Sequence, residues 1–87
     1  MLEADRVIVL YDSIHDVMRT ESAVKRAQLW SDLVPTPRQL SSECGMSLVI
    51  AAADLPRVLE ILAAQEEPAR VYLQQGEQFT PVELTSG

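Results

Sequence analysis

The chain has 87 residues, of which 47% are hydrophobic, and its 13 acidic and 7 basic side chains give a net charge of −6. This length suits one domain over residues 1–87, and the composition argues against a disordered acidic tail or a coiled coil. Because the charge is negative and the arginines are scattered, nucleic acid is excluded as a partner.

Membrane insertion and secretion are not expected either. No apolar run approaches the roughly 20 residues that a membrane helix requires. The start, Met1-Leu2-Glu3-Ala4-Asp5, lacks the basic region of a signal peptide. A single cysteine cannot form an internal disulfide, which small secreted domains usually need. We therefore predict a cytoplasmic protein.

The first half of the chain predicts two strands around a helix. The β-branched run Arg6–Tyr11 is typical of a central strand. Ser13 then suits the N-cap of a helix that ends near Gln28, with Asp16 placed to reach back to the cap. A second strand at Leu33 and Val34 is stopped by prolines 35 and 37. The residues expected to face the sheet from the helix are Ile14, Val17, Met18, Val24 and Ala27.

The second half repeats this pattern. Ser47–Ile50 predicts a third strand, and Asp54 is placed to cap a helix that has Pro56 in its first turn. Pro68 prevents that helix from extending, and Arg70–Leu73 predicts a fourth strand. The buried stripe of the second helix is expected at Leu55, Val58, Leu59 and Leu62. The core then spans about residues 5–74, and the tail over 75–87 is either flexible or an added edge strand.

The order βαββαβ predicts an α+β, ferredoxin-like fold, with a four-stranded antiparallel sheet and two helices on one face. Strands one and two then run toward the same end of the sheet. The turn into the first helix and the loop between strands two and three should therefore lie together. The residues brought to that end are Asp12, Ser13, His15, Arg38, Ser41, Ser42 and Cys44.

That loop, from Pro35 to Gly45, is longer than a simple hairpin turn and is a candidate for function. Leu40 is placed to pin it to the core, and Gly45 permits either positive φ or a close backbone approach. The prediction is a held, partly exposed Cys44, which is the one plausible site of chemistry in the chain.

A cysteine reacts as its thiolate, which nearby cations and hydrogen-bond donors favour. Arg38, Ser41 and Ser42 are the candidates for that support, whereas Glu43 opposes it. Arg38 could equally pair with Glu43 or Asp12 and only fix the loop. His15 is a supporting candidate for proton transfer near the thiol, although a histidine in the first turn of a helix is commonly a solvated surface residue.

Two segments resemble a known family: Val-x-Val-Leu-Tyr-Asp-Ser-x-His-Asp, beginning at Val7, and Pro-Thr-Pro-Arg-x-Leu-Ser-Ser-x-Cys-Gly, beginning at Pro35. They are similar to the selenium/sulfur carrier protein-like family over roughly Arg6 to Leu73. The resemblance implies a carrier that holds a persulfide or selenopersulfide on Cys44 and exchanges it with donor and acceptor proteins. It implies an accessory protein more than a stand-alone enzyme.

The sequence is also compatible with other functions. A non-catalytic interaction or regulatory module, with Cys44 structural, is the alternative, and an uncovered sheet face would allow a homodimer. One cysteine and one histidine fall short of a metal motif, so neither a metal nor another cofactor is expected. A hydrolase triad would need a cleft that one sheet layer hardly provides.

Overall fold

The computed structural model describes residues 5–40, 45–65 and 69–82. Its element order agrees with the predicted βαββαβ and adds one strand at the end. The elements are β1 (Arg6–Leu10), α1 (Ile14–Arg26), β2 (Ser31–Pro35), β3 (Met46–Ala51), a 3₁₀ turn (Ala52–Asp54), α2 (Leu55–Ala63), β4 (Arg70–Gln75) and β5 (Gln78–Val82). The fold is α+β.

The sheet has five strands rather than the predicted four, and their order is β2-β3-β1-β4-β5. All neighbouring strands pair antiparallel. The extra strand forms because β4 continues to Gln75 and turns back at Gly76, whose φ of 64° suits a tight hairpin. Of the two alternatives for the tail, the edge strand is therefore correct for Gln78–Val82, and residues 83–87 lie outside the described part.

Both helices pack on the same face of the sheet. Alternate residues of β1 and β3, among them Val7, Val9 and Leu48, are fully buried there. Val17 and Val24 of α1 and Val58 and Leu62 of α2 belong to the same buried cluster. Burial of these side chains, at about 25 cal/mol per Å² of apolar surface, is the main force that holds the two helices to the sheet.

The opposite face carries a second, smaller apolar cluster. Its buried residues are Ile8, Leu10 and Val49, each at most 1% exposed, from the two central strands. The partly buried side chains that pack against them come from β2, from the loop after β2, and from β4 and β5. They are Val34, Leu40, Tyr72 and Phe79.

The first helix begins as predicted but buries a different stripe. Ser13 is the N-cap, and its hydroxyl accepts from the His15 N–H at 3.2 Å. Asp16 does not reach back to the cap; its carboxylate accepts from Arg19 at 3.3 Å. Ile14 and Met18 are 39% and 50% exposed, so their predicted burial is wrong. The helix turns Thr20, rather than Met18, toward the sheet.

Thr20 belongs to a group of three hydrogen-bonded polar side chains that links the residue after β1 to the segment after α2. The Tyr11 hydroxyl donates to Gln65 Oε1 at 3.0 Å. The Thr20 hydroxyl lies 2.9 Å from the Tyr11 oxygen and 2.9 Å from Gln65 Oε1. Because the buried hydroxyls of Tyr11 and Thr20 each have a partner, the cost of removing them from water is offset.

The helix ends also differ in detail from the predictions. The first helix ends at Arg26, two residues early, and Gln28 takes the left-handed conformation, with φ of 64°, that closes many helices. In α2, Asp54 makes no side-chain cap bond, because the 3₁₀ turn of Ala52–Asp54 leads into the helix. Val58 and Leu62 are buried as predicted, while Leu55 and Leu59 are partly buried.

Candidate functional site

The turn into α1 and the loop between β2 and β3, the two segments with candidate functional residues, lie at one end of the sheet. Both β1 and β2 pair antiparallel with β3: Val9 near the end of β1 lies opposite Leu48, and Pro35 at the end of β2 lies opposite Met46. The turn into α1 and the loop after β2 therefore lie at the same end, as predicted. Since β3 separates β1 from β2, these two connections are about two strand spacings, roughly 10 Å, apart.

The loop after β2 is closed at its base by backbone and side-chain bonds. The Thr36 N–H donates to the Gly45 carbonyl at 2.9 Å, which extends the β2–β3 ladder by one pair. The Thr36 hydroxyl lies 2.7 Å from the hydroxyl of Ser47, which is fully buried. These contacts fix the two chain ends from which the loop departs.

The start of the loop is also ordered by a turn and by packing. The Leu40 N–H donates to the Pro37 carbonyl at 3.0 Å, forming a turn over 37–40. The Leu40 side chain packs against the apolar cluster of Ile8, Leu10 and Val49. The prediction that Leu40 pins the loop to the core is therefore confirmed.

Gly45 does not have either of the features expected of it. Its φ is not positive, and a Cβ built on it would have no heavy atom of the described residues within 4 Å. The glycine is exposed. The positive φ that glycine would permit is therefore not used, and no described residue makes the close approach that was the alternative.

The predicted charged residues are at this end of the sheet, but they are not joined to one another. Asp12 pairs with Arg70 at 2.8 Å, and not with Arg38. Arg38 and His15 are exposed, and neither belongs to an ion pair among the described residues. The proposed loop hydroxyls and the thiol, Ser41, Ser42 and Cys44, lie outside the described residues, as does Glu43.

Sequence reasoning missed the pairs that tie this end together. The Asp12–Arg70 bridge joins residues 58 positions apart, and the Thr36–Ser47 pair joins residues 11 apart. Ser47, a serine near the start of the otherwise apolar strand β3, is the signal that could have indicated the Thr36–Ser47 pair. No comparable local signal marks the first, because it depends on β4 lying beside β1.

Two further classes of site find no support within residues 5–40, 45–65 and 69–82. No group of three or more histidine, cysteine, aspartate or glutamate side chains is gathered there to hold a metal ion. In the same part of the chain, no helix is both long enough and apolar enough to cross a membrane.

Comparison with known proteins gives one positive finding. A family model described as "Putative Se/S carrier protein-like" matches residues 6–72, which include both segments noted in the sequence. The curated proteins and the solved structures that were searched contain no match to this chain.

Proposed function

Because the chain belongs to the Se/S carrier protein-like family over well more than half of its length, we propose that it carries sulfur or selenium on Cys44. The match extends over the whole loop from Pro35 to Gly45 and is the observation that carries the proposal. In this role the protein accepts the atom from a donor protein and yields it to an acceptor protein, without turning over alone.

The described base of the loop supports such a role. The Thr36–Gly45 bond and the packing of Leu40 hold the loop against the end of the sheet. The exposed guanidinium of Arg38 stands on the same loop, where it favours an anionic thiolate or persulfide. Gly45 is exposed and adds no side chain beside Cys44, which favours the approach of a partner's active site. Ser41 and Ser42 are proposed to donate hydrogen bonds to the anion.

For sulfur, the transfer is a thiol–disulfide exchange. The Cys44 thiolate attacks the outer sulfur of a donor persulfide, R–S–SH, and a new S–S bond forms as the donor S–S bond breaks. The bonding pair leaves with the donor as R–S⁻, which takes up the proton, so the products are Cys44–S–S⁻ and R–SH. No external oxidant or reductant is needed.

For selenium, the starting point is a mixed disulfide of Cys44 with a small thiol. Hydrogen selenide anion, HSe⁻, attacks the Cys44 sulfur and displaces the small thiol as its thiolate. The product is Cys44–S–SeH. Oxidation enters with the disulfide and the selenide is the nucleophile, so the step balances without a further reagent.

Intact-mass spectrometry tests the proposal directly. Wild-type and Cys44→Ala proteins are incubated with a persulfide donor and, separately, with selenide and an oxidised thiol. We expect the wild type alone to gain the mass of one sulfur or one selenium, and a thiol reductant to remove it. An unmodified Cys44 in folded protein would contradict the carrier role and favour an interaction module.

The loop arginine offers a second measurement. We expect Arg38→Ala to slow alkylation of Cys44 at neutral pH by roughly two- to tenfold, because the cation that favours the thiolate is lost. Arg57→Ala, at an exposed position of α2, is the matched control and should leave the rate unchanged. Equal rates in all three proteins would remove Arg38 from the proposed site.

A further inference from the structure

The outer edge of β2 presents a row of backbone groups that suits a second copy of the same strand. β2 is the last strand in the sheet order, and no other strand of the described residues pairs with its outer side. The β2–β3 register runs without a bulge from Ser31–Ile50 to Pro35–Met46 and continues to Thr36 and Gly45. Because hydrogen-bonded and non-hydrogen-bonded pairs alternate, the direction of every group on β2 follows from that last pair.

Thr36 donates inward to Gly45, so Val34 and Asp32 also direct their backbone groups inward, toward β3. Ser31, Leu33 and Pro35 direct theirs outward. Pro35 has no N–H, and it therefore occupies an outward position where a proline leaves the existing ladder intact. The free edge offers two N–H donors, at Ser31 and Leu33, and three carbonyl acceptors.

This row is self-complementary about Leu33. When two β2 strands pair antiparallel with Leu33 opposite the partner's Leu33, the two leucines exchange two N–H to carbonyl bonds. The Ser31 N–H of each copy then faces the Pro35 carbonyl of the other, giving four bonds in total. The missing donor of Pro35 leaves only one carbonyl on each copy without a strand partner.

The side chains along this edge are compatible with the same register. Asp32 would lie opposite the partner's Val34, so the two Asp32 carboxylates are diagonal neighbours rather than directly opposite each other. Trp30, the residue before β2, is 54% exposed, and its place opposite the partner's Thr36 would cover it. The other edge strand, β5, offers fewer donors, because its outward positions are Phe79 and Pro81 and only Phe79 has an N–H.

We propose that the protein forms a two-fold homodimer through β2, in which each copy places Trp30 beside the base of the other copy's Thr36–Gly45 loop. The two sheets become one ten-stranded sheet, and the two loops lie at opposite ends of the paired strands. The proposal does not rest on sulfur or selenium transfer, which the mass measurement on Cys44 tests separately.

Sedimentation equilibrium over about 1 µM to 1 mM tests the dimer itself. We expect the wild type to reach twice the monomer mass in this range. Ser31→Pro removes two of the four bonds at the first residue of a strand, where proline is tolerated, and should weaken the dimer by about tenfold or more. Ser31→Ala keeps the backbone donor and should dimerise as the wild type does. Circular dichroism confirms folding of both variants.

The emission of Trp30, the single tryptophan of the chain, provides a second readout. The emission maximum should shift to shorter wavelength as the dimer forms in the wild type and in Ser31→Ala. In Ser31→Pro, the same shift should require a higher protein concentration. A wild type that stays monomeric up to about 1 mM, or a Ser31→Pro variant that dimerises equally well, overturns the proposal.

Cross-linking tests the register. In a Cys44→Ser background, Leu33→Cys places two thiols on residues whose Cα atoms are about 5.5 Å apart across the two-fold axis. Pro35→Cys, at an exposed position, places them about four residues, or roughly 14 Å, apart along the paired strands. A short bismaleimide should join the first variant and leave the second uncoupled. Equal coupling of both variants would rule out this register.

Discussion

Two helices cover one face of the sheet. On the other face, side chains from β2, β4, β5 and one loop pack against a small apolar cluster. On the helix face, ten buried residues form one cluster that includes parts of α1 and α2. On the opposite face, three buried residues of β1 and β3 are contacted by Leu40 from the Thr36–Gly45 loop. The loop proposed to carry the reactive thiol is therefore part of the packing of that face.

We therefore expect the helix face to determine mainly the stability of the fold, and the opposite face to influence the accessibility of the loop. Substitutions on the helix face should change stability and leave the loop in place, because none of the loop residues that the structure describes belongs to that cluster. Substitutions at the loop contacts should change stability less and loop accessibility more. The following changes test that separation.

The largest effect is expected from Leu48→Ala on the helix face. Leu48 is fully buried, and a cavity at such a position typically costs about 2–5 kcal/mol of unfolding free energy. Urea unfolding measures the loss. Met18→Ala is the control, since Met18 is half exposed and should change stability by less than about 0.5 kcal/mol. A large loss in Met18→Ala would contradict the observed burial of α1.

An intermediate effect is expected from Leu40→Ala on the opposite face. Leu40 is partly buried, so its truncation should cost about 1–2 kcal/mol. The rate of Cys44 alkylation should rise at the same time, because the loop loses its apolar anchor. Gln39→Ala, at the exposed neighbouring position, should change neither quantity. An unchanged alkylation rate in Leu40→Ala would separate the anchor from the reactivity of the thiol.

The smallest effect is expected from Thr36→Val at the base of the loop. The change leaves the buried hydroxyl of Ser47 without its contact to Thr36, at a cost of about 1 kcal/mol. Thr80→Val, at an exposed position of β5, is the matched control and should lie within about 0.5 kcal/mol of the wild type. Equal unfolding midpoints for the two variants would show that the hydroxyl pair does not stabilise the loop.

Local patterns in the sequence determined most of the elements of this protein. The β-branched runs of β1 and β3, the Ser13 cap and the apolar spacing of α2 are short-range signals, and the structure agrees with each of them. The family match agrees with the resemblance that the two sequence segments indicated. The role of Leu40 was also predicted, because a lone leucine in a polar loop has few uses other than packing.

Only the tertiary structure decided which surfaces these elements meet. The exposure of Met18 and Ile14 depends on how α1 is rotated on the sheet, a quantity that helical spacing defines only approximately. The strand β5, the Asp12–Arg70 bridge and the open edge of β2 all depend on which strands are neighbours. Strand order is set by long-range pairing and by the joint burial of both faces, so it is not contained in the periodicity of any one segment.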